Sequence, residues 1–271
     1  MPSHYAIERT GRRFKHDANS GMRSELVLSH TTKTSIENRF PGFRDVKAGS
    51  IGYDIDHPDV RNMWNQTLRA IAPQAQQNSN FFAYRLVTDP SIPPDAGVSA
   101  HTISKYRAWL QQQYLTITDL NTHWGTTRKS YDHIKQPVFK KAGAGEWHDW
   151  CRFNQYRVSA WLSMLKEVSG IHHPDTLAYP ILPECFKTGD ATKGSKSSPA
   201  LSGLNLEGIA IDFEAVGLRL PTPIQSDGLY AVGWQRAAAT VDFMRSAAPE
   251  TTLLAADWDA LGSAQSDAVP G

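Results

Sequence analysis

Two aspartates each follow a short apolar run. FFAYRLV (residues 81–87) precedes Thr88-Asp89-Pro90, and LLAA (253–256) precedes Asp257-Trp258-Asp259. His30 closes a third run, ELVLSH (25–30), and Glu184 follows a fourth, LAYPIL (177–182). If these runs are parallel strands, the polar residues behind them stand outside the carboxyl ends, where ligands bind in parallel α/β folds. Two carboxylates from different strand ends are what cleavage of a glycosidic bond needs. One protonates the leaving oxygen and the other attacks the anomeric carbon or activates a water. Trp258 would give a sugar ring an apolar face to lie on, and His30 and Glu184 are further candidate ligand contacts. The plainer alternative is a turn residue or helix cap, which an aspartate before proline or at a strand end commonly is.

Other chemistries lack their residues. Ten histidines include no HExxH pair and there are two cysteines, Cys151 and Cys185, so the sequence implies no metal and no disulfide framework. No GxSxG elbow occurs. The glycines of GDATKGSK (189–196) and of Gly143-Ala144-Gly145 match neither a phosphate loop nor a dinucleotide fingerprint, so no cofactor is expected. With a net charge of +1, the one dense basic cluster, Arg9, Arg12, Arg13 and Lys15, reads as a solvated terminus and not as a nucleic-acid arm. No apolar run is long enough for a membrane span. Residues 1–20 lack the apolar stretch of a secretory signal, an expectation of cytoplasmic location.

The elements between the strands read as helices. Asp56-His57-Pro58 opens one in which Val60, Trp64, Leu68 and Ile71 share a face, and Pro73 should end it. A second runs from Ser99 or Ala100 to Tyr114, and a third, capped by Thr118, ends at Gly125. The longest spans about 146–168, with Trp147, Cys151, Asn154, Val158, Trp161, Leu165 and Val168 as its inner stripe. Residues 206–220 fit either a strand over Ile209–Phe213 or a helix beginning at Asp212. A last helix, 230–248, leads to the run before Asp257. Strand and helix alternate, which implies a parallel sheet with helical crossovers.

Taken together, YDIDHP (53–58), FAYRLVTDP (82–90), KYRAWLQQQYLTITDLNTHWGTTRKSYDHI (105–134), GEWHDWCRFNQYRVSAWLSML (145–165) and LLAADWDAL (253–261) resemble the catalytic barrel of glycoside hydrolase family 42. The resemblance covers about residues 25–260. It implies a (β/α)8 TIM-barrel-like α/β fold with about five parallel strands present, barrel strands three to seven. Residues 1–24 would form a polar extension and 25–271 the barrel domain. It also implies a β-galactoside or related β-linked polysaccharide as carbohydrate substrate, with Asp89 at the acid/base position and Asp257 at the nucleophile position. Thr88 would stand for the asparagine that bonds the sugar 2-hydroxyl, and Trp258 for the tryptophan after the nucleophile.

Each match departs from the family pattern, because both glutamates are aspartates here. Each carboxyl then retreats by about one carbon–carbon bond, roughly 1.5 Å. Two retreats would move a retaining pair, about 5–5.5 Å apart, toward the inverting range of about 6.5–9.5 Å. The same departures leave open a catalytically impaired, carbohydrate-binding relative. Only 24 residues precede Glu25 and 14 follow Asp257, so the expectation is an incomplete barrel: a fragment, or one completed by homo-oligomeric association.

Overall fold

The computed structural model describes residues 4–30, 38–43, 51–94, 96–183, 203–220 and 230–256, with side chains omitted over 4–9 and 230–234. Glu184, Asp257, Trp258 and Cys185 lie outside the described residues. Five strands, β1 (Ser24–Val27), β2 (Phe81–Thr88), β3 (Leu177–Leu182), β4 (Ala215–Arg219) and β5 (Thr252–Ala256), form one sheet in sequence order with every pairing parallel. Helices join consecutive strands: α2 (Val60–Gln76) between β1 and β2, α3 (Ala100–Gln113), α4 (Ile117–Trp124) and α5 (Ala144–His172) between β2 and β3, α6 (Leu206–Asp212) before β4 and α7 (Tyr230–Ala247) before β5. The described residues thus form an incomplete (β/α) barrel of five parallel strands.

The two faces of the sheet differ. Leu26, Leu28, Tyr84, Leu86, Val87, Leu182, Val216 and Leu218 pack against the inward stripes of α2 and α5, forming the main core. The opposite face carries a smaller cluster of Ala83, Tyr179, Ile181, Ala215 and Ala256. Pro180, which has no N–H to give the ladder, lies in the central strand β3. The register shifts between Arg85 and Val87, beside Pro180, the kind of irregularity at which a sheet tolerates proline. Both Leu86 and Val87 consequently reach the helix-side core.

Residues 100–153 build a satellite core on α3, α4 and the first half of α5: Tyr106, Trp109, Leu110, Leu120, Trp124, Ile134, Trp150 and Phe153. Reciprocal caps fix its helices. Ser99 and Thr102 exchange backbone-to-hydroxyl bonds of 3.1 Å each; at α4 the Asp119 N–H donates to Thr116 Oγ1 at 3.1 Å and the Thr116 N–H to the Asp119 carboxylate at 3.0 Å. Thr116, not Thr118, is therefore the cap, because Asp119 stands three residues on to return the bond. Gly125, at φ 66°, ends α4 in the left-handed conformation that favours glycine. Asp149 sits beneath, accepting from Tyr114 Oη at 2.6 Å and Trp124 Nε1 at 2.8 Å.

Other boundaries differ from the sequence reading. Helix α2 runs through Pro73 to Gln76, and α5 runs through Gly170 to His172. The inward residues at the start of α5 are Trp150 and Phe153, while Trp147 and Cys151 are half-buried. Residues 206–220 hold both a helix and a strand: Ile209 is buried within α6, and β4 begins only at Ala215. The polar stretch before Glu25 contains α1 (His4–Asn19), which lies against α2 and buries Phe14 beside Phe81. Arg12, Arg13 and Lys15 are exposed on it.

Candidate active site

Asp89 is the residue immediately past β2. Its N–H donates to Ile181 O of β3 at 3.0 Å, which extends the ladder by one bond, and its backbone then turns left-handed at φ 47°. Aspartate is among the few non-glycine residues that tolerate this region. The side chain is directed toward β4, where Arg219 Nη1 pairs with Asp89 Oδ2 across the carboxyl end of β3. Asp89 Oδ1 receives no hydrogen bond from a described residue. Arg219 is the last residue of β4 and is paired with Ala256 of β5, the residue before Asp257.

The loop behind Asp89 is held by its carbonyl oxygens. Asn154 Nδ2 donates to Ile92 O at 2.5 Å, Trp150 Nε1 to Pro94 O at 2.8 Å and Arg157 Nη2 to Gly97 O at 2.6 Å, all from α5. Arg157 also pairs with Asp56 at 2.9 Å, which in turn accepts from Thr102 Oγ1 at 2.7 Å and Lys105 Nζ at 3.2 Å. Asp54 Oδ1 accepts the Asp56 N–H at 2.9 Å. The DIDHP segment thus anchors the buried cation that clamps the loop carrying Asp89. Because loop carbonyls need partners once buried, these helix side chains replace the missing ladder.

His30 is placed differently. Its Nε2 lies 2.6 Å from Leu86 O, and since a carbonyl only accepts, that nitrogen carries the proton. Nδ1 then accepts from Tyr53 Oη at 2.9 Å, and Tyr53 Oη accepts from Trp64 Nε1 at 2.9 Å. Both ring nitrogens are engaged, and the ring packs between Trp64 and Trp161 with centroids 5.1 Å away in each case. Burial pushes its pKa down to about 4, against the opposing effect of the Leu86 bond. The sequence-based expectation for His30 was ligand contact; in the fold it links β1 to β2. Thr88 is half-buried and paired with Ile181 in the ladder.

The inner face of the sheet brings together charged groups that the sequence reading missed. Glu25 of β1 pairs with Arg85 of β2 and accepts from Tyr179 Oη of β3 at 2.5 Å. Burial first, then the Glu25 carboxylate, holds the Tyr179 phenol above its usual range. The alternation along each strand was the available signal: Glu25 and Arg85 occupy the positions facing away from the helices. Among the described residues no three His, Cys, Asp or Glu side chains gather as a metal ion would require, and no helix is long and apolar enough to cross a membrane.

A parallel sheet of five strands with helical crossovers defines the class: part of a (β/α) barrel. The chain belongs to glycoside hydrolase family 42, the beta-galactosidase family, whose profile matches residues 45–199, more than half of its length. No curated protein matches the sequence. Among solved structures, an exo-carrageenase of family 42 from Bacteroides ovatus is 18% identical, with a TM-score of 0.70 over 89% of this chain and 35% of that one. A beta-galactosidase from Bacillus circulans sp. alkalophilus is 13% identical, with a TM-score of 0.69 over 89% and 35%. The catalytic domain of a beta-amylase from Paenibacillus polymyxa is 12% identical, with a TM-score of 0.66 over 89% and 71%. At these identities the likeness is one of fold. The chain spans about a third of the length of the carrageenase and the galactosidase.

Proposed function

We propose that the protein is a glycoside hydrolase acting on β-galactosides or related β-linked polysaccharides, with Asp89 and Asp257 as its two carboxylates. The observation that carries this reading is Asp89 itself. It stands directly past a barrel strand, in a left-handed backbone that aspartate tolerates, on a loop clamped by Asn154, Trp150 and Arg157. Family membership supplies the substrate class. Thr88, Glu184 and Trp258 are the proposed sugar contacts, while His30, with both nitrogens engaged, supports the strand ends. The proposed mechanism requires only carboxylates and water. Hydrolysis of nitrophenyl β-galactoside, lost in both Asp89→Asn and Asp257→Asn, is the expected result. Hydrolysis that survives both substitutions overturns the assignment.

A second reading is favoured by the Asp89–Arg219 ion pair, which occupies one oxygen of a proposed catalytic group. In that reading the protein binds β-linked saccharides without cleaving them. Saturable binding of a galacto-oligosaccharide by calorimetry, with no product after prolonged incubation, would select it over the first.

A further inference from the structure

Two cavities on the helix side of the barrel share a wall, and neither is lined by a strand residue. The first, about 260 Å³, lies where the start of α2 meets α3 and α5. The second, about 420 Å³, lies between α3, α5 and α6. Trp109 and Tyr156 line both. The second volume falls within the range of about 300–1,000 Å³ typical of small-ligand pockets, and the first just beneath it. Helical spacing gathers the lining. Arg152, Gln155, Tyr156 and Ser159 stand three and four positions apart on α5, as do Trp109, Gln112 and Gln113 on α3, so each set shares a face.

The lining suits an uncharged polyol. Tyr156 is 53% exposed, whereas Phe153 and Trp161 of the same helix are buried. Around it stand Gln112 on one side and Gln113, Gln155, Ser159 and Asn205 on the other. Asn205 Oδ1 caps α6 by accepting the Gly208 N–H at 3.1 Å, which leaves its amide nitrogen as a donor. Side-chain amides offer a donor and an acceptor together, as neighbouring sugar hydroxyls require, and an aromatic ring gives the C–H face of a sugar an apolar surface. Charge selects neither anion nor cation. Lys105 and Arg157 are both tied to Asp56 in the first cavity, and Arg152 and Asp212 balance in the second.

We propose that these cavities form a second saccharide site, which holds a neutral β-linked chain with one sugar ring on Tyr156 and its neighbours in the two cavities. Only the choice of a galactan rests on the glycosidase reading above. The site binds without cleaving, because cleavage needs two available carboxylates. Asp56 is engaged by Thr102, Lys105 and Arg157, which leaves Asp212 alone.

The test uses the whole chain and a hexaose of β-linked galactose, read by hydroxyl-radical footprinting with pulses short against turnover. Oxidation of Tyr156 should be lost at saturating hexaose, while that of Phe139, 60% exposed and outside both cavities, should stay as it was. Replacing Gln113 and Gln155 together by alanine should raise the hexaose concentration at half-protection by about tenfold, since each loses a hydrogen bond to the sugar. Both side chains stand on helix surfaces, so the fold should survive the change. Turnover of nitrophenyl β-galactoside, a single sugar, should be the same in Tyr156→Ala as in the wild type. Turnover absent from both, with Tyr156 still protected, removes the glycosidase reading and leaves the second site standing. Tyr156 oxidised equally with and without hexaose overturns the site. Protection that follows protein concentration and not hexaose also overturns it, marking the face as an interface between copies.

Discussion

Arg157 Nη2 lies 2.9 Å from Asp56 Oδ2, and the two side chains are 1% and 2% exposed. Burial works against the guanidinium's charge, and Asp56 first, then Asp54, work for it. The same Nη2 reaches Gly97 O, so one nitrogen joins the segment before α2 to the loop after Asp89. Replacing Arg157 by methionine leaves a buried aspartate with only Lys105 for a cationic partner. Loss of one partner from a buried pair is worth about 3–5 kcal/mol. Arg157→Met is therefore expected to lower unfolding stability by about that much in urea titration. Faster amide exchange in the loop around Gly97 should accompany it, since Gly97 O loses its shorter bond and keeps only that from Thr102 Oγ1 at 3.2 Å.

The left-handed backbone of Asp89 separates stability from activity. Asparagine keeps the shape and tolerates φ 47°, so Asp89→Asn should melt within about 2 °C of the wild type while losing turnover. Asp89→Val puts a branched side chain into that conformation, at a cost of roughly 1–2 kcal/mol. Thermal melts of the two variants side by side should show a lower midpoint for the valine variant alone. Equal midpoints would mean that the turn relaxes without penalty.

Much of the barrel was legible because its strands and helices carry strong local patterns. Continuous apolar runs gave β2, β3 and β5, and residue-type signals gave α3 and the end of α4 at Gly125. What was not legible depends on partners distant in sequence. Among the described side chains of α1 the buried large residue is Phe14, whose partner Phe81 lies 67 positions on, so nothing local marks it as packed. The apolar run 209–213 is too short to distinguish buried helix from buried strand by periodicity, and it proved to be mainly the end of α6. Pro73 is a helix breaker by rule, yet packing of Leu68, Ala72 and Ala75 carries α2 past it. Of the candidate site, the strand-end placement of Asp89 was visible. Arg219, 130 positions away, was not, because only the order of strands brings it there.

His30 makes stability depend on pH in a defined direction. Its pKa is about 4 in the fold against 6.5 when unfolded, so between these values the unfolded chain binds the extra proton. Stability from this group is full above about pH 6.5 and is lost as pH falls through 4, by on the order of 3 kcal/mol. Urea unfolding at several pH values should show a steeper decline below pH 6.5 in the wild type than in His30→Gln. The glutamine variant should itself be less stable at pH 8, because the Tyr53 and Leu86 bonds are disturbed. Parallel pH profiles would mean that His30 protonates freely in the fold.

Gly217 sits on the inner face of β4, two residues before Arg219, and pairs with Ile181 of β3. A Cβ built there would stand 2.8 Å from Ile181 Cγ1 and 3.3 Å from both Ala256 Cβ and Tyr179 Cε2. Ile181 is a neighbour on β3 that cannot swing away, since it is fully buried and its carbonyl also accepts the Asp89 N–H. Relief must then come from separating β3 from β4, and the backbone that fixes Asp89 would move with it. Overpacking of this kind costs typically 1–3 kcal/mol. Gly217→Ala is expected to be destabilised by an amount in that range in urea titration, and Gly217→Val by more. The Asp89–Arg219 pair should loosen with it, so turnover of nitrophenyl β-galactoside by Gly217→Ala should fall. A destabilised Gly217→Ala with unchanged turnover would show that the strand ends keep their geometry while the inner face expands.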